Sequence, residues 1–314
     1  MLKYLVIILD DKSVSYCHYK SRNNSHLMPL GTLRQGILFA MKNDLKIQYV
    51  LPQNDLPQEY HMLINSMFHD TIGPLGLSDT PDVVVVDGFH ELMQPECDLD
   101  TEIRYVLRTT VFDFLENYGY LKKLFASNIS INVVFTDVEN FTDEKVERYQ
   151  AVLKDLGASL KDFIMNGCNI NTNLLTDRIA LEEMNNCGAG DTSVTLAPNG
   201  KFYPCPAFYY SAMPYGEIGN IESGFGKFNQ ELYSIGHSPL CRRCDAYHCK
   251  RCVWLNKIMT YEVNVPSRQQ CLMAHVERNA SMELLEEFHK LGILKDKNIE
   301  PISYLDPFDA FQTI

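Results

Sequence analysis

The chain has 314 residues, of which 46% are hydrophobic and 22% charged, a composition typical of a globular protein with one large or two modest domains. Acidic residues outnumber basic ones by 40 to 28, and the net charge of -12 argues against a general binder of nucleic acid or of an anionic membrane. The first apolar run, residues 4–9, is too short for a membrane span or a secretion signal. We therefore expect a cytoplasmic protein, in a reducing compartment where ten cysteines favour metal binding over disulfide bonds.

The first half of the chain alternates predicted strands and helices. Apolar and β-branched runs predict the strands, and apolar residues at helical spacing predict the helices. The predicted strands are residues 2–9, 47–51, 82–87, 131–137 and 170–175. The predicted helices lie around residues 33–41, 57–67, 101–125 and 143–156. This order predicts an α/β fold with a parallel sheet and right-handed crossovers, either a partial barrel or a doubly wound sheet.

Polar residues follow several of these strands, at the edge where α/β enzymes bind their ligands. Taken singly, each of these residues is explained by loop polarity or helix capping. Taken together, the residues predict an acidic rim that can line a pocket. His90 beside Glu91 is a candidate acid–base pair. The rim comprises Asp10, Asp11, residues 52–55, Asp87, His90, Glu91, Asp137 and Glu139.

The distribution of the cysteines predicts a boundary near residue 186. Cys17, Cys97 and Cys168 are scattered before it, and the other seven fall within the next 85 residues. Beyond the boundary, Asn199-Gly200 predicts a hairpin that leads directly to Cys205. The later predicted elements are a short extended segment at 216–221, a helix at 227–236 and a last helix at 281–294.

Residues 241–252, CRRCDAYHCKRC, place four thiols in two Cys-x-x-Cys pairs. Two thiolates from one turn can reach one metal centre, so the run fits either tetrahedral zinc or an iron–sulfur cluster, and its spacing alone favours zinc. Seven clustered thiols exceed what one four-ligand site needs. The nearby histidines, which fit either a ligand or an ordinary hydrogen-bonded role, are His237, His248 and His275.

The cysteines and one glycine together resemble the signature of the SPASM domain, which follows many radical SAM peptide-modifying enzymes. The series is Cys187, Gly200, Cys205, Cys241, Cys244, Cys249, Cys252 and Cys271, and two of its gaps are one residue shorter than is usual in the family. The preceding βα units resemble the partial barrel of radical SAM enzymes. The whole chain, including residues 13–19, 36–41 and 252–271, resembles the CXXX repeat peptide maturases, which are associated with small cysteine-repeat precursor peptides.

The resemblance implies a partial (β/α) barrel of radical SAM type, followed by a small cysteine-rich, SPASM-like α+β domain. The implied segments are a degenerate barrel at 1–186, an iron–sulfur domain at 187–280, and a C-terminal helix and tail at 281–314. The domain would hold one or two auxiliary [4Fe–4S] clusters, with zinc as the alternative metal.

Ligands can be assigned by the same resemblance. The first cluster is assigned to Cys187, Cys205 and Cys252. The second cluster is assigned to Cys241, Cys244, Cys249 and Cys271. The first set lacks a fourth thiolate. Cys168, Asp191 or a cysteine of the substrate peptide can supply it, or one iron can stay open to a substrate thiolate.

The chain departs from radical SAM enzymes at the loop that holds their SAM-cleaving cluster. Those enzymes carry Cys-x3-Cys-x2-Cys after the first strand, and aligning Cys17 with the third cysteine places Asp10 and Val14 at the other two. No glycine-glycine-acid segment follows residues 47–51. We therefore expect neither a SAM-cleaving cluster nor SAM binding. We interpret Cys17 as a buried or loop cysteine rather than a ligand.

Three functions fit these observations, in decreasing order. The first is maturation of a ribosomally made cysteine-repeat peptide, in which the clusters bind peptide thiols or relay electrons. The second is a non-catalytic module, stabilised by zinc or a cluster, that presents the precursor to a separate modifying enzyme. The third is a hydrolase-like or binding protein with an incidental zinc ribbon, which no nucleophile elbow, phosphate loop or dinucleotide motif supports.

Aromatic residues near the cysteines can bind an extended peptide or form the core of the hairpin. They are Phe202, Tyr203, Phe208, Tyr209, Tyr210 and Tyr247.

Overall fold

The computed structural model describes residues 2–94, 99–214, 216–226 and 228–308. Cys97 lies outside these ranges. The strands are β1 (Tyr4–Ile8), β2 (Lys46–Val50), β3 (His69–Pro74), β4 (Val83–Asp87), β5 (Arg104–Thr109), β6 (Ile131–Phe135), β7 (Ser193–Leu196), β8 (Lys201–Tyr203), β9 (Gly219–Asn220) and β10 (Gly224–Phe225). The helices are α1 (Leu30–Lys42), α2 (Gln58–Ile64), α3 (Phe89–Leu92), α4 (Val111–Asn117), α5 (Gly119–Ala126), α6 (Asp143–Met165), α7 (Thr176–Ala180), α8 (Pro206–Tyr210), α9 (Val253–Thr260) and α10 (Arg268–Lys290).

The chain forms two compact units that interleave along the sequence. Unit 1 comprises Met1–Val86 and Cys187–Ser238. Unit 2 comprises Asp87–Asn186 and Pro239–Ile314. Composition and resemblance predicted three consecutive segments, 1–186, 187–280 and 281–314. These segments do not correspond to the two compact units, and the division into three stays a prediction.

Unit 1 is built on a mainly parallel sheet in the strand order β10-β9-β8-β7-β1-β2-β3-β4. Strands β7, β1, β2, β3 and β4 run parallel, whereas β8, β9 and β10 continue the sheet antiparallel. Residues Leu5–Ile8 of the central strand β1 are all buried, which explains their unbroken apolar run. The predicted α/β class with a large parallel sheet is therefore confirmed.

Helix α1 packs closely on this sheet because its contact face includes a glycine. A Cβ atom at Gly36 would lie 2.6 Å from the Leu196 side chain of β7, so a larger residue would push the helix away. Leu33, Ile37 and Ala40 of the same face join the core of unit 1. The predicted helix around residues 33–41 is confirmed.

Unit 2 pairs β5 with β6 in parallel and packs its two longest helices, α6 and α10, against each other. Each helix begins at a hydroxyl cap: Thr142 accepts from the Lys145 N–H, and Ser267 accepts from the Gln270 N–H. The predicted helix from Asp143 is confirmed. The predicted last helix is the second half of α10, which begins at Arg268.

Most predicted strands are confirmed, since β1, β2, β4 and β6 overlap the expected runs and the hairpin at residues 199–200 joins β7 to β8. The prediction of one helix over residues 101–125 was wrong. Strand β5 occupies its beginning, and Tyr105, Leu107, Arg108 and Thr109 of this strand are buried. Strand β3 was not predicted, and the described residues of the predicted helix at 227–236 contain 3-10 turns rather than an α-helix.

The predicted strand at residues 170–175 was also wrong. This segment runs beside β6 but contacts it through side chains. The Asn173 amide accepts from the Val133 N–H at 2.7 Å and donates to the Val133 carbonyl at 2.9 Å. The Asn173 N–H in turn donates to the Asn132 side chain at 3.0 Å. Asparagine side chains thus replace the backbone ladder that the apolar pattern predicted.

No helix in the described part of the chain has both the length and the apolar character needed to span a membrane.

Candidate metal centres

Unit 2 gathers four thiols from two separate stretches of the chain. Cys241 opens a 3-10 turn, Cys244 and Cys249 follow in the same loop, and Cys271 lies in the first turn of α10. Burial raises the pKa of Cys249, and the other three thiols raise it further. Burial likewise raises the pKa of Cys241 to about 11 and that of Cys271 to about 12. The four sulfur atoms therefore share one partly buried environment and form no disulfide bond with one another.

A cavity of about 780 Å³ lies beside these thiols. Three of the four cysteines line it, together with apolar and polar residues of α10 and the C-terminal segment. The lining includes Leu240, Cys241, Cys244, Pro266, Cys271, His275, Tyr304 and Leu305. Leu240 and Leu305 are 44% and 64% exposed, so the wall of the cavity is apolar at the surface as well.

Three groups surround the sulfur atom of Cys244. The Ala246 N–H donates to it at 3.4 Å, the Cys244 thiol itself donates to the Tyr304 hydroxyl at 3.8 Å, and the His275 Nε2 lies 3.5 Å away. Burial lowers the pKa of His275 to about 4, so this imidazole is neutral at physiological pH. Hydrogen bonds donated to sulfur stabilise a metal-bound thiolate and shift the reduction potential of the metal centre.

A network of charges fixes the Cys244 loop to the helices. Arg278, in α10, is 1% exposed and donates to both carboxylate oxygens of Asp245, its Nη2 to Oδ2 at 2.8 Å. Arg178 and Tyr304 also donate to this carboxylate. Burial opposes ionisation of Asp245, but the hydrogen bonds from Arg278, Tyr304 and Arg178 outweigh it and lower its pKa to about 2.

A second buried network lies on the other side of the cysteine loop. The carboxylate of Glu277, in α10, accepts from the Tyr149 hydroxyl of α6 at 2.7 Å and lies 3.0 Å from His248 Nε2. His248 therefore connects the cysteine loop to the helix pair. Of the other candidate histidines, His237 is exposed near Ser234, and His275 faces Cys244.

Of the three remaining thiols of the signature, unit 1 holds two, Cys187 and Cys205. Cys187 begins a loop with two left-handed glycines, Gly188 (φ +65°) and Gly190 (φ +75°), and a Cβ atom on Gly190 would collide with the Tyr233 ring. Cys205 follows β8 and caps α8. Burial raises the pKa of Cys205, and Cys187 and Cys17 raise it further.

Cys252 belongs to unit 2, where its sulfur caps α9 by accepting from the Leu255 N–H at 3.4 Å. The two protein residues considered as a fourth ligand also fall in different units. Cys168 follows the end of α6 in unit 2, where its N–H donates to Phe163. Asp191 lies in the Cys187 loop of unit 1, where its carbonyl accepts from Gln230 at 2.6 Å. The ligand assignment itself stays a prediction.

The loop after β1 does not fit the three thiolates of a SAM-cleaving cluster. Asp10 is 3% exposed and accepts from the Lys12 N–H and the Ser25 hydroxyl, both at 2.7 Å. Asp11 accepts from the Tyr209 hydroxyl and lies 3.7 Å from the Arg22 guanidinium. Val14 is buried and apolar. Carboxylate pairing and packing occupy the positions where thiolates would be needed.

The aromatic residues considered for peptide binding are mostly core residues. Phe202, Tyr203, Phe208, Tyr209 and Tyr210 are each at most 9% exposed. They therefore form the interior around the hairpin and α8. Tyr247, in unit 2, packs its ring under the Arg178 guanidinium at 4.4 Å.

The acidic residues of unit 2 serve structural roles. Asp137 accepts from the Val111 N–H at the start of α4, and Glu91 accepts from the Asp87 N–H. Asp87 pairs with the buried Arg108 at 2.8 Å. These contacts fit capping and ion pairing and give no support to acid–base catalysis by His90 and Glu91.

No protein-family model and no curated protein matches this chain. Among solved structures, the chain is similar to hexahistidine-tagged anSMEcpe with bound AdoMet, at a TM-score of 0.63 and 13% identity, over 91% of this chain and 98% of that one. It is also aligned with Streptococcus suis SuiB, solved bound to its precursor peptide SuiA. That alignment has a TM-score of 0.43 and 13% identity over 74% of this chain and 64% of SuiB, too low to define a shared fold.

The similarity to anSMEcpe shows the fold. The chain has a mixed α/β architecture with a large parallel sheet, similar to that of anSMEcpe.

Proposed function

We propose that this protein is an iron–sulfur protein that takes part in the maturation of a ribosomally made cysteine-repeat peptide. It keeps SPASM-like centres and has lost the SAM-cleaving cluster of its structural relatives. The gathering of Cys241, Cys244, Cys249 and Cys271 beside a large cavity carries the proposal. The cysteine signature and the fold shared with a radical SAM enzyme support it.

The chemistry of the donor set fits a [4Fe–4S] cluster. Four thiols supply the four ligands that such a cluster needs, and N–H donors already point at two of the sulfur atoms, from Ala246 to Cys244 and from Arg251 to Cys249. When bound, the cluster supplies electron transfer or an iron that can take a thiolate. Arg278, Asp245 and Glu277 hold the ligand loop in place.

The spacing of the sulfur atoms favours a cluster over a single zinc ion. All four cysteines are among the described residues, and no three of their sulfur atoms lie within 4.8 Å of one another. Thiolates bound to one tetrahedral zinc at about 2.3 Å would lie about 3.8 Å apart. A cubane cluster places its ligands at the corners of a larger body and so fits the wider spacing.

The cavity offers a route for a peptide thiol to this centre. Its apolar surface at Leu240 and Leu305 suits the side chains of a peptide, and its floor is formed by Cys241, Cys244 and Cys271. A cavity of this kind, apolar with a few polar groups, is typical of ligand sites. In this proposal the peptide's cysteines approach the cluster through the cavity.

Elemental analysis of anaerobically purified protein tests the proposal. We expect brown protein with iron and acid-labile sulfide in equal amounts, at a level of one or two clusters per chain. Colourless protein that contains zinc and no sulfide would contradict it.

The second candidate is a non-catalytic module that holds structural zinc or a cluster and presents the precursor to a separate modifying enzyme. Capture of a synthetic cysteine-repeat peptide by the protein, compared with the same peptide bearing serine for cysteine, tests the partner that both candidates share. Modification of the captured peptide by the protein alone, seen as a mass change, favours the first candidate. Binding without modification favours the second.

A further inference from the structure

Unit 1 contains three cysteines in all, Cys17, Cys187 and Cys205, although they lie up to 188 positions apart in the sequence. The sequence signature includes the last two and omits Cys17. The contacts within unit 1 bring together the segments that carry all three.

The Cys187 loop is tied to the chain just before Cys205. The Gly190 N–H donates to the Pro204 carbonyl at 3.1 Å and to the Ser193 carbonyl at 2.8 Å. The Ser193 hydroxyl donates back to the Cys187 carbonyl at 3.3 Å. Gly190 is required at this point because its φ is positive and the Tyr233 ring leaves no room for a Cβ atom. The loop therefore holds Cys187 close to the end of β8.

The segment that carries Cys17 is tied to α8, the helix that Cys205 caps. The rings of Tyr19 and Tyr210 stack at a centroid distance of 5.0 Å, and the Tyr210 hydroxyl donates to the Asp10 carbonyl at 3.3 Å. The Arg22 guanidinium donates to the Tyr209 carbonyl at 2.7 Å and covers the Tyr209 ring. These contacts place both ends of the Cys17 segment on a helix that begins at Cys205.

The two sets of contacts bring the segments that carry Cys17, Cys187 and Cys205 together near the start of α8.

We propose that Cys17 is a thiolate ligand of the first metal centre, together with Cys187 and Cys205. This inference rests on the proposed function, because it assigns a ligand to a cluster that the proposed function requires. Ligation replaces the thiol proton by iron and releases that proton to solvent. With Cys17, unit 1 alone supplies three thiolates to this centre.

The assignment revises the interpretation of Cys17 as a plain loop cysteine. It places a protein thiolate where Cys168, Asp191 or a substrate thiol was considered.

The test compares full-length Cys17→Ala with wild type, both purified without oxygen. We expect iron and sulfide to fall by about half if two clusters are present, or one cluster's paramagnetic resonance signal to become that of a three-iron species. His18→Ala is the matched control, because its ring nitrogen lies within 4.8 Å of the Cys17 sulfur but is not the proposed ligand. Cys168→Ala controls for loss of any cysteine. Both controls should keep wild-type iron.

Alkylation mapping gives a readout that does not depend on the folding of a variant. In wild-type protein treated with iodoacetamide, Cys17 should be protected while the cluster is present and labelled after the iron is removed by a chelator. Cys168, which is partly exposed, should be labelled in both states.

The outcomes separate the two proposals. Wild-type iron and an unchanged resonance signal in Cys17→Ala, or labelling of Cys17 in the loaded protein, would overturn this assignment and leave the proposed function standing. Wild-type protein without iron or sulfide would overturn the proposed function and this assignment with it.

Discussion

At the scale of single residues, the thiols of both units share one property. Burial raises the pKa of Cys205, Cys241, Cys249 and Cys271, so each is protonated at neutral pH unless a metal takes the place of the proton. Such thiols react slowly with oxidants on their own. They are therefore better suited to hold a metal than to act as redox-sensing or nucleophilic cysteines.

Cys249→Ala should remove one cluster. Cys249 interacts with all three other thiols of its set, and a small cysteine-rich region has little core to compensate for a lost metal. We expect iron to fall by one cluster per chain and the melting temperature to drop. Cys168→Ala should change neither quantity. Full iron content in Cys249→Ala would show that the ligand assignment in unit 2 is wrong.

Glu277→Ala should destabilise the protein, because it leaves the Tyr149 hydroxyl and the His248 imidazole without their shared buried acceptor. Each orphaned polar group costs about 1–3 kcal/mol. Glu283→Ala, the same change at an exposed position of α10, is the control and should be nearly neutral. Denaturant unfolding measures both. Equal midpoints for the two variants would contradict a structural role of the Glu277 network.

Residue patterns predicted part of the site. The spacing of the two Cys-x-x-Cys pairs is a local signal, so it identified the loop of Cys241 to Cys252 directly. Cys17 was interpreted as a non-ligand because Asp10 and Val14 occupy the positions of the other two cysteines of the SAM-cleaving motif, and its proposed partners in unit 1 are 170 or more positions away. The hydrogen bonds from Arg278 and Tyr304 to Asp245 also depend on tertiary packing, and no short sequence motif predicts them.

At the scale of secondary structure, apolar runs predicted most of the buried parallel strands. They failed where side-chain hydrogen bonds, rather than backbone ones, join a segment to the sheet. Strand β5 was missed because its six residues were included in a longer predicted helix, whereas the observed helix begins at Val111. The segment at residues 170–175 showed the opposite error. Its apolar residues suggested a strand, but its asparagines supply the hydrogen bonds.

Asn173→Ala should weaken the edge of β6. The variant loses both hydrogen bonds to Val133 and leaves that backbone without its partner, at a cost of about 1–3 kcal/mol. Asn171→Ala is the matched control, because the exposed Asn171 contributes only its backbone N–H, which donates to Ser130. Thermal unfolding of the two variants gives the comparison. Indistinguishable melting temperatures would mean that the Asn173 side chain does not support the strand.

At the scale of the whole molecule, the fold is similar to that of anSMEcpe at only 13% identity. The α/β class could be predicted because it depends on apolar patterns rather than on particular residues. The interleaving of the two units could not be predicted, because it follows from β7 returning to pair with β1 after more than 180 residues. The distribution of cysteines along the chain indicates a boundary near residue 186. It does not indicate which segments before and after that boundary belong to the same unit.

The protein should not bind S-adenosylmethionine specifically. The positions that would hold the cluster for this ligand are Asp10 and Val14, and neither can ligate iron as a thiolate does. Calorimetric titration of the anaerobic protein should show no saturable heat, whereas anSMEcpe, solved with bound AdoMet, serves as the positive control. Saturable binding at one molecule per chain would contradict the loss of this site.

The hydrogen bonds of the loop after β1 limit what two substitutions could achieve there. Cysteines introduced at positions 10 and 14 would take away the acceptor used by Ser25 and Lys12, yet Asp11 would still be tied to Tyr209 and Arg22. A loop needs freedom to wrap three sulfur atoms around iron, and these bonds restrict that freedom. We therefore expect the double variant to disturb the loop without binding a cluster there.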